Sequence, residues 1–354
     1  MERRQFCRNL VSLAVLGALT HVLSACQPTT ERTHLVEYEK NDHSFPVIIH
    51  HALGSSKITK QPKRIICLGA GSEDIVFALG QMPIAIESHI WGGDAKGYLP
   101  WFKEAVLNQG EVLPEVIHMY PELDIAKIIR LAPDIIVAPQ SGITPEIYRQ
   151  LSRKIPIIAY PNRPWLTPVH QQIEMIGAAL GLAKEAEALK ARMAENMRHY
   201  REQYPQLSQY TFAYLNAGSR MAYLSAYVAG DPRVDSLIEL GLKPAPFMKD
   251  LHVKQGAFAA TIGLENVDLL KDVDVVISWF NSEAVKESVD QIPLYRAIPA
   301  IQNGAYVPLT DQSLVMAMSY GSPLSLPWGI KRFVPRLLSA LANVPKPQTK
   351  DLLG

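Results

Sequence analysis

Residues 64–80 read Arg-Ile-Ile-Cys-Leu-Gly-Ala-Gly-Ser-Glu-Asp-Ile-Val-Phe-Ala-Leu-Gly. Arg64 to Leu68 is a short apolar run, as a strand buried on both faces requires, and Glu73 to Leu79 keeps helical spacing until Gly80 stops it. Working outward, Ile84-Ala85-Ile86 is a second strand. Helix and strand pairs follow at Ile125 to Leu131 with Asp134 to Val137, and at Pro145 to Leu151 with Ile155 to Tyr160. Upstream, Val47-Ile48-Ile49 and Lys57-Ile58-Thr59, separated by Gly54-Ser55-Ser56, carry a hairpin signal. Strands alternating with helices predict parallel strands with helices packed on the sheet.

The alternation restarts after a long helical stretch. Thr167 is placed as an N-cap with Pro168 at the first helical position. Gly181 breaks or kinks the helix, and Lys184 to Tyr204 is rich in strong helix formers. Beyond it lie a strand at Thr211 to Leu215, helices at Val234 to Leu240 and Leu264 to Leu270, a strand at Val273 to Ser278 and a terminal helix at Trp328 to Leu341. The expected fold class is α/β: two Rossmann-like lobes, 46–166 and 207–342, joined by a helical linker at 167–206, with a polar tail at 343–354.

The N-terminus, Arg3-Arg4 followed by an apolar run and Leu23-Ser24-Ala25-Cys26, reads as a secretory signal over 1–25. The apolar run is too short to span a bilayer. Leu-Ser-Ala-Cys resembles the bacterial lipobox, which makes Cys26 the lipidation site and 26–45 a polar tether. The arginine pair fits the twin-arginine export signal, an ordinary basic n-region being the alternative. Cleavage removes three arginines and one glutamate, so 35 basic and 34 acidic residues become 32 and 33. Such a balance offers no nucleic-acid footprint. Of the three cysteines, only Cys67 then remains with a free thiol, inside an apolar run that suits an inert buried side chain.

Two site patterns are weak. Gly69-Ala70-Gly71 follows a strand as a dinucleotide fingerprint does, but Asp74 stands where the third glycine belongs and would repel a pyrophosphate. Ser72 as N-cap with Glu73 and Asp74 in the first turn is the simpler reading. His50, His51, His89 and His118 lack the His-x-x-x-His spacing of a helical metal site, and His50 and His51 point to opposite faces of a strand. Separate surface or core roles suit them better.

Strand-end loops carry the stronger signal, because ligands of open α/β sheets collect outside the carboxyl ends of the strands. Trp91, Tyr98, Arg163, Trp165, Arg220, Tyr223, Trp279 and Tyr320 fall there, a set suited to a flat or greasy, partly anionic ligand. Trp101 and Trp328 sit near helix starts and read as packing.

Pro62-Lys63-Arg64-Ile65-Ile66, Glu73, Ala78-Leu79-Gly80 and Leu131-Ala132-Pro133-Asp134-Ile135-Ile136-Val137 resemble the first lobe of the periplasmic-binding-protein family for ferric siderophores, haem and cobalamin. Glu265-Asn266-Val267 with Asp272-Val273-Asp274-Val275-Val276 is similar to its second lobe. His51-Ala52-Leu53-Gly54, Tyr160-Pro161 and Pro164-Trp165 look most like the iron-siderophore branch. The resemblance implies a lipid-anchored or periplasmic receptor, monomeric and not an enzyme, holding a ferric siderophore in a cleft between lobes. It would need no cofactor and no metal ligands of its own, since the siderophore holds the iron. The expected partners are an ABC importer's permease and ATPase. The family places one docking carboxylate on each lobe: Glu265 matches in the second, while the first-lobe position falls on Ala126, leaving Asp124, with Glu122 nearby, as substitute. A haem or cobalamin receptor, or an exported dinucleotide enzyme, are the alternatives.

Overall fold

The computed structural model describes residues 35–38, 45–119, 121–218, 222–254, 257 and 259–345. The signal, Cys26 and Arg220 lie outside the described residues. Strands β1 (Val36–Tyr38), β2 (Val47–His51) and β3 (Gly54–Ile58) form a small antiparallel sheet. Part of the stretch expected as tether is therefore a strand, and Gly54 to Ser56 lie within β3 rather than in the turn. His51 is buried and His50 faces Glu37, as alternation requires.

The first lobe is built on β4 (Ile65–Cys67), β5 (Ala85–Glu87), β6 (Glu115–Ile117), β7 (Ile135–Val137) and β8 (Ile157–Ile158), in the order β6-β5-β4-β7-β8, every pair parallel. Its helices are α1 (Ser72–Ala78), α2 (Pro100–Asn108), α3 (Ile125–Leu131) and α4 (Pro145–Leu151). Helices lie on both faces, so β4 and β7 are buried throughout and need unbroken apolar triplets. Cys67 is fully buried, and burial pushes its thiol well up, with Glu73 and Asp74 adding to the effect.

The linker is two helices, α5 (Val169–Ala179) and α6 (Ala183–Gln203), parted at Gly181, whose φ of 70° terminates α5. Thr167 is not the cap: α5 begins after Pro168, and the Thr167 hydroxyl donates to the Pro139 carbonyl. Ile173 and Ile176 of α5 sit in the first-lobe core, whereas Met197 of α6 belongs to the second.

The second lobe holds β9 (Thr211–Ala217), β10 (Tyr223–Ala226), β11 (Lys243–Pro244), β12 (Ala260–Gly263), β13 (Val275–Trp279) and β14 (Tyr306–Leu309). The path runs β12-β10-β9-β13-β14, with β11 also on β9. The β10 pairings are antiparallel, so this sheet is mixed where the alternation alone predicted parallel strands. Leu264–Leu270 is a 3₁₀ helix with a non-helical Asn266, not an α-helix. The remaining helices are α7 (Pro232–Glu239), α8 (Glu283–Asp290), α9 (Pro293–Arg296), α10 (Pro299–Gln302), α11 (Gln312–Tyr320) and α12 (Ser325–Leu341). Among the described residues no helix is long and apolar enough to cross a membrane.

Each lobe ties its first strand to a later one by the same device. Asp134, just before β7, accepts the Lys63 and Arg64 amides at 2.8 and 2.9 Å. The Lys63 amide bond lowers the Asp134 pKa, burial opposing it. Asp274, just before β13, accepts the Thr211 amide at 2.6 Å. These bonds satisfy strand-end amides that the ladders leave open, and they explain why an aspartate precedes the apolar run in both segments.

Candidate functional site

The carboxyl ends of β4, β5 and β7 and the starts of α7 and the end of α11 enclose a cavity of about 620 Å³ between the lobes. That volume falls in the range of small-molecule sites. Gly69 opens the first-lobe wall: with φ of 82°, any Cβ there would stand 2.3 Å from the Gln140 carbonyl. Gln140 in turn fixes the loop after β8, its Nε2 donating to the Trp165 carbonyl at 3.0 Å and its Oε1 accepting the Thr167 amide at 2.7 Å. This clamp holds Trp165 at φ 62°, a conformation costing a bulky residue on the order of 1–3 kcal/mol. The strain places the indole against Gly142 and on the cavity wall.

Of the residues expected from strand-end position, Trp91, Trp165 and Tyr320 line the cavity. Trp279 stands behind the wall, packing edge-on against Trp91 with centroids 5.7 Å apart and donating from Nε1 to the Tyr227 hydroxyl at 3.0 Å. Besides Trp279, three others do not line it. Tyr98 is buried and donates to the Pro114 carbonyl at 2.7 Å, so it serves the first-lobe core. Arg163 is exposed on the loop surface. Tyr223 projects from β10 and is 48% exposed.

The polar groups that do line the cavity are Glu87, His89, His118, Gln140, Asp231 and Arg233. Asp231 caps α7, its side chain 2% exposed, and Arg233 Nη1 reaches both Asp231 oxygens, at 2.8 and 3.1 Å. The Arg233 guanidinium lies 4.4 Å over the Tyr227 ring, while its buried Nε has no hydrogen-bond partner. Burial raises the Asp231 pKa, with Arg233, seated on both oxygens, opposing the rise. Sequence reading passed over the pair because Asp231-Pro232-Arg233 looks like an ordinary capped helix start.

Beneath the cavity the lobes meet through a buried acidic cluster, which corrects the reading of α1. Gly71, not Ser72, is the N-cap; the Ser72 hydroxyl donates to the Leu68 carbonyl at 3.0 Å, and Glu73 and Asp74 are fully buried rather than solvated. Asp74 Oδ2 accepts Trp101 Nε1 at 2.8 Å and the Ser322 hydroxyl of the second lobe. His89 Nε2 lies 3.1 Å from Glu73 Oε1 as an ion pair, and its Nδ1 pairs with the Tyr320 hydroxyl at 3.2 Å. Burial drives the Asp74 carboxyl well above its usual range, Glu73 adding to it. Burial would depress His89, but Glu73, Glu87 and Asp74 outweigh it and raise its pKa. Burial likewise raises Glu87, although the Gly69 amide donates to its Oε2 at 2.7 Å. Trp101 and Trp328, expected as packing, meet across the lobes at a tilt of 56° with centroids 5.5 Å apart. Ser313 adds a bond to the Gly92 carbonyl at 2.7 Å. Among the described residues, no three of His, Cys, Asp and Glu are placed to hold one metal ion.

Two α/β lobes tied through a buried network, with a partly apolar cleft at their strand ends, define a ligand-binding receptor. A family model described as periplasmic binding protein matches residues 65–312, and the chain belongs to that family, whose members are exported substrate-binding proteins. The chain is 24% identical over 261 residues, 73% of its length and 81% of the relative's, to the Fe(3+) dicitrate-binding periplasmic protein FecB of Escherichia coli. It superposes with a TM-score of 0.77 on PiaA of Streptococcus pneumoniae in complex with ferrichrome, at 27% identity, covering 84% of this chain and 99% of that one. The fold is shared with Staphylococcus aureus SirA complexed with staphyloferrin B, at TM-score 0.65 and 20% identity over 82% of this chain and 98% of that one.

Proposed function

We propose that the protein is the substrate-binding component of an ABC importer, capturing a ferric siderophore in the inter-lobe cleft and presenting it to the permease and its ATPase. The observation that carries this reading is the cleft itself: about 620 Å³ walled by Trp91, Trp165 and Tyr320 with Arg233 among them, a shape and polarity suited to a chelated ion wrapped in organic ligand. The ferrichrome complex of PiaA and the dicitrate-binding name of FecB support the same class of ligand. Iron stays with the siderophore, so the receptor acts by shape and hydrogen bonding, as a monomer and without catalysis.

Docking to the permease is assigned to Glu265 in the second lobe. Glu265 borders a surface groove of about 500 Å³ with Asp268 and Asp272, whose three carboxylates outnumber the one cation, Lys271, and suit an arginine or lysine of the partner. In the first lobe Asp124 is half-buried and caps α3, accepting the Lys127 amide at 2.8 Å, while Glu122 beside it is exposed. Lipid on Cys26 holds the body at the membrane face, with the twin-arginine or the general route delivering it there.

Titrating the mature protein with ferric hydroxamates, catecholates and citrate tests the reading through tryptophan fluorescence, since Trp91 and Trp165 line the cleft. At least one chelate quenches at sub-micromolar concentration. Silence with all of them, together with saturable haemin or cobalamin binding, would replace it.

A further inference from the structure

The charges that line the cleft nearly cancel. Among its described residues the fixed charges are Glu87 and Asp231 against Arg233. Arg233 is the one guanidinium in that lining, and both Asp231 oxygens already contact its Nη1. On the facing wall His89 is matched by Glu73 at 3.1 Å. Among the described lining residues, therefore, no positive charge stands unbalanced. The Arg233 guanidinium is held over the Tyr227 ring, and its Nε is buried without a hydrogen-bond partner.

Ferric siderophores divide sharply by charge. Three singly charged hydroxamates cancel ferric ion and leave carbonyl and N–O oxygens as acceptors, whereas three doubly charged catecholates leave three negative charges and citrate chelates are also anionic. Bringing such anions into a low-dielectric cleft without cationic partners is costly. A neutral chelate loses little on entry. Kinship does not choose between these classes, because the relatives' names include both Fe(3+) dicitrate and ferrichrome.

We propose that Asp231 sets the charge selectivity of the site: by neutralising Arg233 it makes the cleft favour ferric chelates of zero net charge, the tris-hydroxamate class, over anionic catecholate and citrate chelates. The inference rests on the ferric-siderophore reading above and adds a residue that decides which siderophore is taken. Asp231 caps α7 and lines the cleft beside Arg233, where its carboxylate holds Nη1 and offsets the guanidinium charge.

The experiment compares ferrichrome, a ferric tris-catecholate and ferric citrate on the mature protein by fluorescence quenching. Wild type binds ferrichrome at least about ten-fold more tightly than either anion. In Asp231→Asn, which keeps a cap of equal quality, the freed Arg233 tightens the catecholate by about ten-fold or more. That is the order expected of one unit charge acting at about 8 Å through an effective dielectric near 20. The double variant Asp231→Asn with Arg233→Met restores discrimination against the anions. Equal or tighter binding of an anion by wild type overturns the proposal, as does a catecholate affinity unchanged in a folded Asp231→Asn protein. Failure of all three chelates removes the siderophore reading itself, a result distinguishable from binding in the wrong order of charge.

Discussion

Replacing Ser322 by alanine should weaken the protein by about 3 kcal/mol, because its hydroxyl works in two directions at the lobe junction. It donates to Asp74 Oδ2 on the opposite lobe and accepts the Ser325 amide at 3.0 Å, the first helical residue of α12. Ser322 is 1% exposed and Asp74 is fully buried, so water does not replace either bond. Leaving the buried Asp74 acceptor without its donor costs about 1–3 kcal/mol, and losing the acceptor of the Ser325 amide about 1 kcal/mol. The Asp74 bond is the larger part, so a double-mutant cycle separates the two. In an Asp74→Asn background the carboxyl becomes an amide, and Ser322→Ala should cost about 1 kcal/mol less than in wild type. Urea unfolding at neutral pH, read as the change in midpoint at constant slope, measures both numbers. A cost below about 0.5 kcal/mol, or one equal in both backgrounds, would show that the junction is held by packing of Trp101, Tyr320 and Trp328 alone.

His51 gives a pH signature of opposite sign to the buried acids. Its pKa is lowered to about 4, by burial first and His50 second, against an ordinary 6.5. Stability from the neutral imidazole is thus present above 6.5 and lost as pH falls toward about 4, up to about 3 kcal/mol at about 1.4 kcal/mol per unit. His51→Gln should flatten that limb, and an unchanged acid profile would contradict the burial. Glu265→Ala should leave siderophore affinity within about two-fold and reduce uptake by whole cells; undiminished uptake would end the docking assignment.

The alternation from Arg64 to Tyr160 identified the first lobe because a parallel sheet covered on both faces demands continuous apolar strands, a signal that survives without any tertiary information. The break at Gly181 was equally visible, since a left-handed C-cap favours glycine. The second-lobe antiparallel strands were not. Tyr223–Ala226 carries no alternation that distinguishes an added antiparallel strand from a loop, and its place is set by pairing with β9 and β12.

At the cleft, strand-end position pointed to Trp91 and Trp165 because all parallel strands of a sheet end on one side, whereas Tyr320, expected by the same rule, reaches the cleft from the end of α11. Tyr98 satisfied the same rule and is core, since its loop folds back so that its hydroxyl meets the Pro114 carbonyl. What the chain by itself determined is therefore the layering of the lobes and the side on which the cleft opens. Only the tertiary structure decided the chemistry there. Glu73 and Asp74 look like a solvated first turn until the second lobe covers them, and Asp231 looks like a plain cap until α7 packs beside α11 and turns Arg233 into the cleft. Charge in a buried site depends on which neighbours converge from distant parts of the chain, and local sequence does not record that.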